Sequence, residues 1–300
     1  MNARSKIIVI VGPTASGKTG LAIELAKRFD GEVISADSRQ VYRGLDIGTA
    51  KVTEEEMDGV PHHLLDIADV EDVYTAADFK RDAERAIADI AERDKLPIIA
   101  GGTFFYIDAL LGTAQLPEVE PDPELRTELE TKSPEALFAA LRTLDPERAA
   151  AIDPHNKRRL VRALEVVRTL GTVPVLKQLS DHYDVLMIGI GVDMETHGDV
   201  TKKRLLARFD QGLVGEVEGL LARGVPHERL EGLGLEYRYV SRYLRNEVSY
   251  DEMVDELAIK IRQYAKRQLS WLKRYTNLHL VGRSDIDAAV SAVQQFVTEE

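Results

Sequence analysis

The chain has no cysteine. Disulfides, thiolate zinc sites and cysteine nucleophiles are therefore excluded, and the absence suits a reducing, cytoplasmic setting. Long apolar runs are missing too. The longest, residues 185–192, holds eight residues of which two are glycine, against the roughly 18 that a bilayer span needs, so no membrane partner is expected. The short apolar stretch 7–11 leads directly into a glycine-rich segment, which argues against a cleavable signal peptide. Basic residues are in the minority, 39 against 51 acids for a net charge of −12. Taken globally, that balance disfavours a polyanionic partner. Binding depends, however, on where the bases cluster. The seven histidines show no metal spacing, and the adjacent pair His62-His63 reads as packing or loop residues.

Three hundred residues, 44% hydrophobic and 30% charged, suit a globular protein of two domains or one large domain with an insertion. Over the first hundred residues strand and helix patterns alternate, as in a parallel α/β sheet. Strands are expected at residues 6–11 (KIIVIV), 32–36, 96–100, 185–192 and 278–281, and helices at 18–29, 75–93 and 250–273. In the last helix Val254, Leu257, Ile261, Tyr264 and Leu272 are expected on the buried side. Residues 116–135 are rich in proline and acid, and 134–176 read as helical with prolines at helix starts. The fold class is therefore α/β, with a parallel-sheet core from residues 1–116 and 179–300 and a small helical domain inserted at 117–178.

Gly12, Pro13, Thr14, Ala15, Ser16, Gly17, Lys18 and Thr19 fit G-x-x-x-x-G-K-[ST] between an apolar strand and an amphipathic helix. The glycines let backbone N–H groups turn inward, and the helix N-terminus adds positive potential. Lys18 would reach phosphate oxygens and the Thr19 hydroxyl would ligate Mg²⁺. The motif marks a P-loop NTPase-like core that binds a phosphate or diphosphate, without saying what is done with it.

Asp37, Ser38, Arg39 and Gln40 follow the second strand at the carboxyl end of the sheet, where open α/β folds bind ligands. Asp37 has two readings there: a base acting on a second substrate, or the start of a capping box with Gln40. Gly101-Gly102-Thr103 poses a similar choice between a plain strand-to-helix turn and a ligand-facing backbone with Thr103 donating a hydrogen bond. The bases do cluster. Lys157, Arg158, Arg159 and Arg162 fall within six positions, and residues 260–274 carry Lys260, Arg262, Lys266, Arg267, Lys273 and Arg274 with no acid. Such runs are either solvated helix faces or phosphate-backbone contacts.

Taken together, GPTASGKT at 12–19, ISADSRQVYRGLDIGTAK at 34–51, PHHLLDI at 61–67, TAADF at 75–79, the Gly-Gly-Thr at 101–103, DPHNKRRLVRALEV at 153–166 and YAKRQLSW at 264–271 resemble the tRNA dimethylallyltransferase (tRNA isopentenyltransferase) family. The resemblance implies transfer of a dimethylallyl group from dimethylallyl diphosphate to N6 of the adenine 3′ of the anticodon, with Mg²⁺ required. It implies Asp37 as proton acceptor, Thr103 and Lys18 as its catalytic companions, and Arg238 as a second diphosphate ligand. It also implies an RNA path along Asp37–Gln40, Thr103, Arg126, Arg158, Arg159, Arg162, Lys266 and Arg267, with the insertion over the anticodon stem. A monomer is expected. The chain departs from the family pattern at Phe104-Phe105, at Glu236 and in the loop after Arg168. Two rival readings share the phosphate loop: an adenylate isopentenyltransferase acting on free AMP, ADP or ATP, and a P-loop kinase of a small molecule. A third is a non-catalytic RNA-binding protein.

Overall fold

The computed structural model describes residues 4–114, 116–117, 119–120, 122–173 and 182–299. In chain order the elements are β1 (Ser5–Val11), α1 (Lys18–Arg28), β2 (Gly31–Ser35), α2 (Glu54–Met57), β3 (His62–His63), α3 (Ala76–Glu92), β4 (Leu96–Gly101), α4 (Phe104–Leu110), α5 (Pro123–Glu130), α6 (Pro134–Leu144), α7 (Pro146–Ala151), α8 (Lys157–Leu170), β5 (Tyr183–Gly191), α9 (Met194–Asp210), α10 (Leu213–Ala222), α11 (His227–Gly232), α12 (Leu235–Leu244), α13 (Tyr250–Leu272), β6 (Leu278–Gly282) and α14 (Ile286–Thr298).

The six strands form one sheet in the order β3-β2-β4-β1-β5-β6, and every pairing is parallel. Both faces are covered, which is why the strands read as apolar runs rather than alternating ones. Ile8, Ile10, Ile98, Ile188 and Ile190 pack with α1 and α14. The alternate residues Ile7, Val9, Val11 and Ile99 are buried as well, and α3 packs against β2 and β4. Four strands stop at a glycine or one residue before it, so their carboxyl ends line up. Val11 pairs with Gly101, Ser35 with Ala100, and Gly191 with Gly282. A second apolar cluster joins Val41, Tyr42 and Leu45 to residues of α9–α13, among them Leu205, Val217, Tyr237, Val240 and Leu257.

The chain divides into two compact units, Met1–Leu111 with Ser180–Glu300, and Gly112–Leu179. The second unit is helical. Side chains of Asp122, Ser133, Asp145 and Asn156 cap α5, α6, α7 and α8 in turn, and prolines open the first three. Leu129, Leu137, Leu141, Leu160 and Leu164 form its core. Helix α8 ends at Gly171, whose φ is +83°, so the helical pattern expected up to residue 176 stops earlier. Its last residues, and the expected domain end at 178, lie outside the described residues. His62 and His63, expected as packing or loop residues, form β3 opposite Val33 and Ile34.

Candidate active site

The phosphate loop joins β1 to α1 at the carboxyl edge of the sheet. Gly17 caps α1 with φ +99°, a left-handed conformation that favours glycine. No acid stands in the first turn of α1, so its positive end remains available to an anion. Thr14 is held from both sides. Its N–H donates to Gln268 Oε1 at 2.8 Å, and its carbonyl accepts from His197 Nε2 at 2.9 Å. Gln268 in turn donates to the Gly102 carbonyl at 2.9 Å. Burial holds the His197 imidazole below its ordinary pKa against the pull of the Thr14 carbonyl, and Arg283 and Lys18 add to the lowering. His197 therefore stays neutral and donates through Nε2.

The Lys18 ammonium donates to the Pro13 carbonyl at 2.7 Å. Burial pushes its pKa down to about 8; Asp37 pulls it up and Arg204 pushes it down. The Ser16 hydroxyl is buried with no hydrogen-bond partner among the described residues. Such an orphan inside a phosphate loop is what a site built for an oxyanion leaves when described alone.

The β4 turn approaches β2 so closely that a Cβ on Gly101 would lie 2.1 Å from the Ala36 carbonyl, so only glycine fits. This brings Thr103 to the second strand's end. Its N–H donates to Ala36 O at 3.2 Å, and its Oγ1 accepts the Ser38 N–H at 3.0 Å. Asp37 Oδ1 accepts the N–H groups of Arg39 at 2.8 Å and Gln40 at 3.4 Å. These anchor a turn; no α-helix follows, so of the two readings of Asp37 the capping box is absent. Among the described residues nothing donates a hydrogen bond to Oδ2.

A cavity of about 880 Å³ connects these parts. Thr14–Gly20 line one side, Asp37 and Gln40 another, and α9 contributes Arg204, Ala207 and Arg208. Asp46, Ile47 and residues 49–53 form a further wall. The Glu216 carboxylate clamps that segment by accepting the N–H groups of Asp46, Ile47 and Gly48 at 2.7–3.0 Å, together with the Tyr237 hydroxyl at 2.7 Å. Two of the cavity's cations are already neutralised: Lys51 by Asp46 and Asp66, and Arg208 by Glu236 at 2.9 Å. Lys18 and Arg204 carry no ion pair among the described residues. Tyr264, expected on the buried side of α13, instead lines the cavity. Its hydroxyl is pushed up to about 12 by burial and by Asp37.

Several sequence candidates thus converge: Thr14, Ala15, Ser16, Gly17, Lys18, Thr19, Asp37 and Gln40 face one cavity, with Gly12 and Pro13 buried behind the loop. Thr103, Ser38 and Arg39 do not line it but bond to residues that neighbour it. Arg238, expected as a diphosphate ligand, lies outside the lining; its guanidinium pairs with Glu231 at 3.2 Å. Lys266 and Arg267 are exposed on α13, the latter 5.7 Å over the Tyr264 ring. In the second unit Arg126 and Arg162 are both engaged by Glu165, at 2.7 and 3.3 Å. Burial pushes the Glu165 carboxyl up, but Arg126, the Asp122 N–H and Arg162 outweigh it and hold it low. Arg158 and Arg159 are exposed with no carboxylate partner among the described residues. Arg204, His197, Glu216 and Gln268 escaped sequence reasoning: the last three act through hydrogen bonds to segments more than 150 residues away, and Arg204 belongs to the site only because α9 lines the cavity.

Among the described residues no group of three His, Asp or Glu side chains would hold a metal ion. Among the oxygen donors that line the cavity are the Thr19 hydroxyl at the mouth of the phosphate loop and the carboxylates of Asp37, Asp46 and Glu56, of which Asp46 is paired with Lys51 and Glu56 accepts the Thr53 N–H. That sparse set fits Mg²⁺, which keeps several waters and binds through one or two protein oxygens plus substrate phosphates.

The IPP transferase family profile matches residues 40–275. A tRNA dimethylallyltransferase of Exiguobacterium is 46% identical over 275 residues, covering 90% of this chain and 88% of the relative. One from Thermomicrobium roseum is 44% identical over 280 residues, covering 91% and 85%. Among solved structures, the tRNA isopentenylpyrophosphate transferase of Staphylococcus epidermidis superposes with a TM-score of 0.73 at 37% identity, covering 98% and 99% of the two chains. A eukaryotic dimethylallyltransferase acting on tRNA gives 0.81 at 26%, covering 98% and 77%. The profile takes in most of the chain and the relatives match nearly end to end, and on that footing this chain belongs to the IPP transferase family.

Proposed function

We propose that the protein transfers the dimethylallyl group of dimethylallyl diphosphate to the exocyclic N6 of an adenine beside the anticodon of tRNA. One observation carries the reading. One cavity joins a phosphate loop, beside cations with no ion pair among the described residues, to an aspartate whose Oδ2 accepts no hydrogen bond from them.

In the reaction the N6 lone pair attacks allylic C1, the C1–O bond breaks, and the diphosphate leaves with the bonding electrons. Negative charge grows on the departing oxygen, so the barrier falls where fixed positive charge awaits it. Lys18, Arg204 and the amides of Ala15, Gly17 and Lys18 supply that charge, the Thr14 and Ser16 amides being bonded to Gln268 and to the Pro13 carbonyl. Bound Mg²⁺, held through Thr19, would add neutralisation of the leaving group. Asp37 keeps Oδ1 on the Arg39 and Gln40 amides and offers Oδ2 to the N6 proton, a contribution of about 10²–10⁴ in rate for a positioned base. Ile23, Ile47, Ala50, Val52 and Ala207 provide the apolar lining that a five-carbon tail requires. The adenine must leave its stack to reach this chemistry. Arg158, Arg159, Lys266 and Arg267 are exposed bases available to RNA phosphates.

The test incubates the protein and Mg²⁺ with labelled dimethylallyl diphosphate and, separately, unmodified tRNA, AMP or ATP. Label in tRNA with one diphosphate released per transfer is expected. Label in AMP or ATP would select the free-nucleotide reading, and ATP consumption without label would select a kinase.

A further inference from the structure

Strand β6 is the edge strand beside β5, and its carboxyl end lies level with the phosphate-loop end of β1 through the pairings of Gly191 with Gly282 and Val11 with Gly189. The turn that follows carries Arg283, eight residues beyond the segment matched by the family profile. Its side chain crosses the loop. A Cβ placed on Gly17 would meet Arg283 Cγ at 3.6 Å and Nε at 3.9 Å. The guanidinium is exposed and has no ion pair or hydrogen bond among the described residues. The nearby Asp285 is spent on capping α14 through the Ala288 N–H.

Charge arithmetic around the loop gives this position a meaning. Arg208 and Lys51 are neutralised by Glu236, Asp46 and Asp66. Lys18, Arg204 and Arg283 are not, and Arg283 is near enough to depress the protonated forms of both Arg204 and His197. Three like charges with no ion pair among the described residues, and only the more distant Asp37 and Glu56 carboxylates as counter-charge, repel one another unless an anion sits among them. A diphosphate, carrying about three negative charges at neutral pH, balances them.

Resting on the transferase reading above, we propose that Arg283 is a diphosphate-binding residue of the donor site, closing over the phosphate loop at Gly17 from the C-terminal turn. It serves donor binding and product release rather than RNA contact. Because it is exposed and carries no hydrogen bond or ion pair among the described residues, its replacement leaves folding intact.

The experiment measures donor KM, tRNA KM and inhibition by inorganic diphosphate for wild type, Arg283→Ala and Arg283→Lys, with melting temperatures alongside. Arg283→Ala should raise both donor KM and the diphosphate inhibition constant by about tenfold, the loss expected of one charge-assisted contact. The tRNA KM and the melting temperature should not move, and Arg283→Lys should recover part of the loss. Donor KM and diphosphate inhibition within twofold of wild type would overturn the assignment, as would a rise confined to tRNA KM. If wild type itself transfers no label from the donor, the transferase reading fails instead, and that outcome is distinguishable from either.

Discussion

Gln268 donates to the Gly102 carbonyl with the same side-chain amide that accepts the Thr14 N–H. One buried residue of α13 thereby ties the phosphate loop after β1 to the glycine pair after β4. An amide is the side chain that can do both, since a carboxylate accepts only and an ammonium donates only. Gln268→Glu should therefore turn the Gly102 contact repulsive and bring a negative charge to the diphosphate site. Donor KM should rise by about tenfold or more, while Gln268→Ala should cost about 1–3 kcal/mol of stability through unpaired buried groups. Equal donor KM values for wild type and Gln268→Glu would show that the bridge is incidental to donor binding.

Asp37 separates two functions on its two oxygens. Asp37→Asn keeps an acceptor for the Arg39 and Gln40 amides and loses the base, so turnover should drop by about 10²–10⁴ with tRNA affinity within twofold. Asp37→Ala loses the turn anchor too and should weaken both. If Asp37→Asn turns over like wild type, the carboxylate only shapes the turn and the proton leaves by another route.

Much of this architecture is legible in the sequence. The strands β1, β4, β5 and β6 announce themselves because both sheet faces are covered and glycine closes each. The phosphate loop is local, so eight consecutive residues suffice to place it. Strand β3 is not legible, because His62-His63 is polar, only two residues long, and exists through its pairing with β2. Tyr264 shows a limit of periodicity. The pattern reports which face of α13 turns inward, and inward at that position is a cavity rather than the core. Arg126 and Arg162 show another. Glu165 stands three positions from Arg162, but that it draws both guanidiniums depends on α5 packing against α8.

The two groups of insertion arginines should consequently behave differently. Arg158→Ala with Arg159→Ala should leave the melting temperature unchanged and flatten the salt dependence of tRNA binding by about 0.7–0.9 log units per log salt for each RNA phosphate that is no longer neutralised. Arg126→Ala should do the reverse, lowering the melting temperature because Glu165 loses its bidentate partner. A salt plot unchanged in the double variant removes both residues from the RNA path.

Two histidines make stability depend on pH. Burial holds His62 and His197 below their ordinary pKa, so below about pH 6.5 the unfolded chain binds protons that the folded chain refuses. Stability should be fully present above that pH and fall as acid approaches the lowered folded values. His197→Gln keeps an N–H donor for Thr14 and cannot titrate; its urea midpoint should decline less steeply than that of wild type between about pH 7 and pH 5.5. Parallel slopes would mean that His197 accepts its proton without loss of structure.

Lys18 sets the last expectation. Its pKa of about 8 in the free protein means that donor capture loses a positive charge just above neutrality. Because kcat/KM reports groups of the free enzyme, kcat/KM for dimethylallyl diphosphate should fall above about pH 8, tending toward tenfold per pH unit. The kcat at saturating donor should persist to higher pH, since a bound diphosphate stabilises the ammonium and raises its pKa again. Lys18→Met should lack the alkaline limb altogether, at a kcat/KM lower by about 10²–10³. A wild-type kcat/KM that stays level through about pH 9 would mean either that a neighbour keeps the lysine charged or that it is not used to capture the donor, and in the second case the cation work would rest on the arginines.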